Sequence, residues 1–120
     1  MPGMVTLFVY GTLKRGCSNH GVLRGAEFAG EAATEPAYLL FNCGSYPGLV
    51  RAGKGEAGTA IRGELYCVDE ELLAALDRFE NVPLEYVRET IRLADGGEAQ
   101  TYFYVPPFSG LKLCGSEWME

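Results

Sequence analysis

Glu80 closes a segment whose apolar residues keep helical spacing. Advancing ~100° per residue from Leu72 puts Phe79 at about −20°, Leu76 at about 40° and Leu73 at about 100°, one apolar stripe. Glu80 falls at about 80° on the same wheel, between Leu73 and Leu76, with Asp77 at the stripe's edge and Arg78 pointing away. A carboxyl on the core side of a helix, at its negative C-terminal end, is disfavoured as an anion. A group held near neutrality in this way can both take and give a proton, as general acid–base catalysis requires. Periodicity leaves a second reading open, in which Glu80 leaves the last turn and faces water. Glu64 is the other carboxylate to compare. It alternates with Leu65 along a strand, so it is either a second carboxylate of the site or an outward polar residue.

Three further groups could take part. Gly11 permits close backbone approach, and consecutive N–H groups leaving a strand end can cradle an anion such as a carboxylate. An ordinary strand-to-loop turn is the alternative. Tyr10, Tyr46, Tyr86 and Tyr104 stand at strand ends or turns, where each could give a pocket an apolar wall and one polar handle, or simply pack a rim. Nucleophilic chemistry has thin support. His20 is the one histidine, and Cys17 lies three residues before it with no third group to orient the pair. The cysteines Cys17, Cys43, Cys67 and Cys114 form no C-x-x-C, so neither a metal nor a redox pair is expected. There is no P-loop, no G-x-S-x-G elbow and no G-x-G-x-x-G.

These residues need elements to hold them. Val5 to Tyr10, rich in β-branched and aromatic residues, reads as a buried first strand. A glycine-bracketed loop, Gly11 to Gly16, follows, and Asn19 to Leu23 reads as a short helical segment. Ala37 to Phe41 is a second strand. Ser45-Tyr46-Pro47-Gly48 reads as a turn, with a short strand at Leu49-Val50. Thr59 to Val68 is a longer strand. Asp69 is a helix N-cap, with Glu70 and Glu71 in the first turn where the dipole favours acids. The helix runs to about Glu80 and stops before Pro83. Strands Tyr86 to Leu93 and Ala99 to Val105 are joined by a hairpin loop. Strands dominate without a regular βαβ alternation, so the class is α+β: a small, strongly curved sheet or barrel with a helix against it.

Length and charge bound the function. With 120 residues the chain is one domain, 1–120, with a core over about 5–105 and a tail over 106–120. A formal net charge of −6 repels phosphate backbones, so no nucleic-acid partner is expected. The apolar run Val5 to Tyr10 is too short for a signal or a membrane span, so no membrane partner is expected. Cys43 and Cys67 read as buried, reduced thiols, which points to the cytoplasm.

Taken together, these segments resemble the γ-glutamylcyclotransferase-like (AIG2-like) superfamily. Phe8-Val9-Tyr10-Gly11-Thr12-Leu13-Lys14-Arg15-Gly16 looks like its substrate loop, and the continuation through Asn19-His20 to Leu23 is similar to the γ-glutamylamine cyclotransferase branch. Gly63-Glu64-Leu65-Tyr66, Val68-Asp69-Glu70 and Leu76-Asp77-Arg78-Phe79-Glu80 look like the strand and helix that end in the family's catalytic Glu, with Tyr86-Val87-Arg88 just after. The resemblance covers most of residues 5 to 105, though 28 to 57 matches little beyond Tyr46-Pro47-Gly48, a stretch that would shape the leaving-group side. It implies a small mixed β-barrel with one main helix and short helical segments, and no cofactor. It implies a small-molecule γ-glutamyl substrate, held by Tyr10, Gly11, Thr12, Leu13, Tyr46, Pro47, Gly48 and Tyr86. It further implies that Glu80 is the acid–base residue in a cyclisation releasing 5-oxoproline and an amine. A non-catalytic binder of the same fold, or an enzyme of another γ-glutamyl compound, is the alternative.

Overall fold

A computed structural model describes residues 3–120. The strands are β1 (Val5–Val9), β2 (Glu27–Ala33), β3 (Tyr38–Asn42), β4 (Pro47–Arg51), β5 (Arg62–Val68), β6 (Tyr86–Arg92), β7 (Glu98–Tyr104) and β8 (Lys112–Leu113). A 3₁₀ turn covers His20–Leu23, and α1 covers Glu70–Phe79. Five strands form one sheet in the order β2-β5-β1-β7-β6, and three form a second in the order β4-β3-β8. β1 lies at the centre of the larger sheet, antiparallel to β5 and parallel to β7.

The apolar run of β1 has a structural reason: both of its faces are buried. Leu7 and Val9 point to one side and pack with Leu73 and Leu76 of α1. Phe8, with Tyr10 beyond the strand end, points to the other and packs with Leu40 and Leu49 of the smaller sheet. Helix, large sheet and small sheet thus form three layers with two cores between them. Asp69 caps α1 by accepting a hydrogen bond from the Leu72 N–H at 2.8 Å, as its position suggests.

Of the two expectations, a strongly curved sheet or a barrel, the sheets give the first: they do not close. The edge strands β2 and β6 meet only at one corner, where Thr34 and Leu93 make a single antiparallel bridge. The large sheet therefore curls until its edges touch, without a ladder along them. Two strands were illegible in the sequence. β2 (Glu-Phe-Ala-Gly-Glu-Ala-Ala) has low strand propensity and a mostly exposed face; it is held by pairing with β5, with a register shift between Phe28 and Gly30. β8 is two residues long and pairs with Phe41 and Asn42. Pro47 and Gly48, read as turn residues, open β4 instead, because their backbones pair with Asn42 and Phe41. All four cysteines are free thiols, and all are half-buried, so Cys43 and Cys67 are less enclosed than expected. Among the described residues no helix is long and apolar enough to cross a membrane.

Candidate active site

The chain leaving β1 turns sharply, with the Lys14 N–H donating to the Gly11 carbonyl at 3.1 Å. Gly11 is required there. A Cβ at this position would lie 2.7 and 2.9 Å from ring carbons of Pro47, so only glycine lets β4 pack against the loop. Hydrogen bonds from outside then fix the loop. The Asn19 amide donates to Thr12 Oγ1 at 3.0 Å, and the Asn19 N–H donates to the Thr12 carbonyl at 2.9 Å. The buried Lys14 ammonium donates to the Trp118 carbonyl at 2.7 Å, which ties the C-terminal tail to the loop. Glu64, also buried, accepts from the Arg15 N–H at 2.9 Å and from the Tyr66 hydroxyl at 3.0 Å. Glu64 is therefore neither a free second carboxylate nor an outward polar residue; its charge holds the far end of the loop. Among the described residues, the N–H groups of Gly11, Thr12 and Leu13 have no acceptor.

Glu80 faces this loop because of how α1 stops. Asn81 adopts φ 55°, the left-handed region. The Asn81 N–H then donates to the Arg78 carbonyl at 3.1 Å and the Val82 N–H to the Asp77 carbonyl at 3.0 Å. This is the paired bonding of a Schellman stop, with Asn in the place glycine usually takes. Glu80 becomes the helix C-cap and keeps the inward angle of Leu73 and Leu76, both buried. Phe79, assigned to the same stripe, is 44% exposed: the buried face is centred nearer Glu80 than the sequence wheel suggests. Burial first, and the charge of Glu85 second, raise the Glu80 carboxyl to about 7.

Gly11, Thr12, Leu13, Glu80, Tyr10, Tyr46, Pro47 and Tyr86 line one cleft of about 140 Å³, together with Asn19, Phe79, Glu85 and Tyr102. Two tyrosines build its wall. The Tyr10 hydroxyl donates to the Tyr102 carbonyl at 2.7 Å and accepts from the Leu49 N–H at 3.3 Å. The Tyr86 hydroxyl donates to the Pro47 carbonyl at 2.8 Å. Burial, with the nearby Glu80 charge adding to it, pushes both phenols well above their ordinary range, so they stay neutral. Gly48 does not line the cleft: a Cβ there would meet the Tyr104 side chain at 2.7 Å, so it serves the packing of β4 on β7. Tyr104 is likewise outside the lining.

Glu85 and Asn19 were missed as lining residues. Glu85 precedes Tyr86 at the mouth of β6, and no periodicity marks it. Behind the cleft, Arg88 donates to both carboxylate oxygens of Asp77, at 2.9 and 3.2 Å, and Tyr102 donates to the same carboxylate at 2.7 Å. Burial works against that carboxylate, but these bonds prevail and hold Asp77 below its usual range. Two acids three residues apart at the end of α1 are thus pushed in opposite directions.

Residues 7–119 match the family described as Gamma-glutamyl cyclotransferase, AIG2-like. The chain belongs to this family. It is 46% identical to a putative gamma-glutamylcyclotransferase of Vibrio cholerae over 98 residues, covering 82% of this chain and 80% of the relative. It is 40% identical to the gamma-glutamylaminecyclotransferase of Homo sapiens over 97 residues, covering 75% of this chain and 62% of the human protein. Among solved structures, an AIG2-like protein from Mus musculus superposes with a TM-score of 0.77 at 33% identity, covering 94% of this chain and 87% of that one. The allophanate hydrolase of Kluyveromyces lactis superposes with a TM-score of 0.80 at 22% identity over 94% of this chain and 20% of that one, a likeness of fold alone. This family member therefore shares its α+β architecture with relatives of its own size and with a module of a much larger enzyme.

Proposed function

We propose that the chain is a γ-glutamylamine cyclotransferase-type enzyme that uses Glu80 as its single acid–base residue. The observation that carries this reading is the meeting, in one cleft, of unpaired loop donors at Gly11, Thr12 and Leu13 with a carboxyl raised to about 7. The loop N–H groups hold the α-carboxylate of a γ-glutamyl amide. The chain of the substrate bends so that its neutral α-amine reaches its own γ-carbonyl. Glu80, as carboxylate, takes one proton from the attacking nitrogen while the new N–C bond closes a five-membered ring. It returns that proton to the amide nitrogen as the old C–N bond breaks. The products are 5-oxoproline and a free amine, and the atoms balance with the substrate alone.

Two physical effects supply the rate. Holding the bent chain makes the attack intramolecular and removes most of its entropic cost. A proton carrier whose pKa lies near the working pH is the most effective kind of general acid–base. Glu80→Gln keeps the shape and loses the proton. Release of 5-oxoproline from a panel of γ-glutamyl amines and dipeptides is expected to fall ~10²-fold or more, with 5-oxoproline still binding. A mutant retaining more than about half the parent rate would remove Glu80 from this role.

A further inference from the structure

The loop that carries the Gly11, Thr12 and Leu13 donors is held through its carbonyls. The Gly11 carbonyl accepts from the Lys14 N–H at 3.1 Å, the Thr12 carbonyl from the Asn19 N–H at 2.9 Å, and the Leu13 carbonyl from His20 Nδ1 at 2.8 Å. In a trans peptide the carbonyl and the following N–H point to opposite sides. Engaging the Gly11 and Thr12 carbonyls therefore turns the Thr12 and Leu13 N–H groups away from residues 14–20. The direction of these donors depends on how firmly that segment is held.

The C-terminal tail holds the segment at Lys14 and at Ser18. The buried Lys14 ammonium donates to the Trp118 carbonyl at 2.7 Å and lies 3.8 Å from a Glu117 carboxylate oxygen. Glu120 accepts from the Ser18 N–H at 2.9 Å and from the Ser18 hydroxyl at 3.2 Å. The tail is itself anchored. The Ser116 carbonyl accepts from the Arg62 N–H at 2.8 Å, and Trp118 is buried in the core that holds Phe8 and Tyr10. The Trp118 indole N–H donates to Glu120 at 3.0 Å. A hollow of about 590 Å³, bordered by Lys14, Cys17, Trp118 and Glu120 among others, opens between tail and loop. The two therefore meet at discrete bonds and not through continuous packing. Lys14, Trp118 and Glu120 do not line the Glu80 cleft, so their effect on a ligand there must pass through the loop.

We infer that Lys14 is a positioning residue: by pinning the loop to the Trp118 carbonyl it aims the Thr12 and Leu13 N–H groups at the substrate's α-carboxylate, and Glu120 braces the other end of the same segment. This rests on the cyclotransferase reading above. A donor turned out of line loses much of its hydrogen bond, so a loosened loop weakens its hold on the carboxylate. Glu80 caps α1 and Tyr86 opens β6, both outside this set of bonds, so the proton transfers should suffer less.

The test compares a γ-glutamyl amide with its α-carboxamide counterpart, which cyclises to 5-oxoprolinamide and releases the same amine. In Lys14→Met, KM for the carboxylate substrate should rise about tenfold, as for a weakened hydrogen bond to a charged group. Its kcat, and both constants for the carboxamide, should change far less. Lys14→Arg keeps a donor, with the hollow to admit its larger head, and should recover most of the difference between substrates. Amide hydrogen exchange reads the loop without any substrate: the N–H groups of residues 14 and 19 should exchange faster in Lys14→Met, with those of β1 unchanged. Should Lys14→Met not fold, Glu120→Ala, at an exposed position, makes the same comparison and should shift it in the same direction by a smaller factor. Equal changes for the two substrates, no recovery in Lys14→Arg, or unchanged exchange at residues 14 and 19 overturns the inference and leaves the cyclotransferase reading standing. A lower Tm with equal changes for both substrates would likewise mark Lys14 as structural only. Cyclised product from neither substrate in the parent overturns the cyclotransferase reading, and faster exchange in Lys14→Met then leaves the tie between tail and loop standing. Neither product nor faster exchange overturns both.

Discussion

The burial of the Glu80 carboxyl has a consequence for stability. Its carboxyl is raised from 4.5 to about 7 by burial and then by Glu85, so the folded chain keeps a proton that the unfolded chain has released. Stability from this group is therefore lost as pH climbs through that interval, the reverse of a salt-bridged acid. Glu80→Gln stays neutral throughout. The melting temperatures of parent and variant should coincide below about pH 4.5 and diverge in favour of the variant above about pH 7. Differential scanning calorimetry across that range checks it; a constant difference would mean that the carboxyl does not titrate there. At this scale the sequence was half legible. The inward angle of Glu80 follows from helical period, but its partner Glu85 belongs to no periodic element. Glu64 was ambiguous because strand alternation names a face without saying what covers it, and the cover is Arg15 from a distant loop.

The helix stop turns one residue's backbone into the direction of the catalytic candidate. Asn81 holds φ 55°, which β-branched side chains strongly resist. Asn81→Gly should change stability little, whereas Asn81→Val should lower it by ~1–2 kcal/mol. Because Glu80 is the adjacent cap, Asn81→Val should also depress kcat for 5-oxoproline release more than it raises KM. Urea unfolding and steady-state kinetics on the two variants check both parts. Elements with strong local signals were legible: β1, β5, α1 with its Asp69 cap, and the β6–β7 hairpin. β2 and β8 were not, because pairing with a neighbour holds them rather than any pattern of their own. Pro47 and Gly48 carry turn chemistry yet open a strand, since β4 lies at the outer edge of its sheet, where a missing N–H is tolerated.

For the whole molecule, the corner where the large sheet's edges meet is the feature that replaces barrel closure. Thr34 sits there with no exposure. Its hydroxyl accepts from the Ile61 N–H at 2.9 Å and donates to the Glu35 carbonyl at 2.7 Å. Thr34→Val keeps the volume and leaves a buried N–H unpaired, which should cost ~1–3 kcal/mol in urea unfolding. Thr34→Ser should recover most of that loss. A neutral Thr34→Val would mean that the corner contributes nothing to holding the sheet curled. The sequence could supply an α+β class and a curved sheet but not the degree of closure. Alternation tells which side chains face inward, whereas closure depends on which edges meet, through pairs such as Thr34 and Leu93 that are far apart in the chain.

The burial of β1 on both faces bears on how this protein can be re-engineered. Any replacement at Leu7, Phe8 or Val9 disturbs one of two cores, and the strand delivers the Gly11–Leu13 loop directly. The outer wall of the cleft rests instead partly on Tyr46 and Glu85, half-buried side chains on surface turns. The inner and outer walls of the cleft thus sit on parts of the fold with unequal tolerance to change. A library aimed at reshaping the cleft belongs at Tyr46, Leu84 and Glu85, with β1 and the left-handed Gly44 held constant.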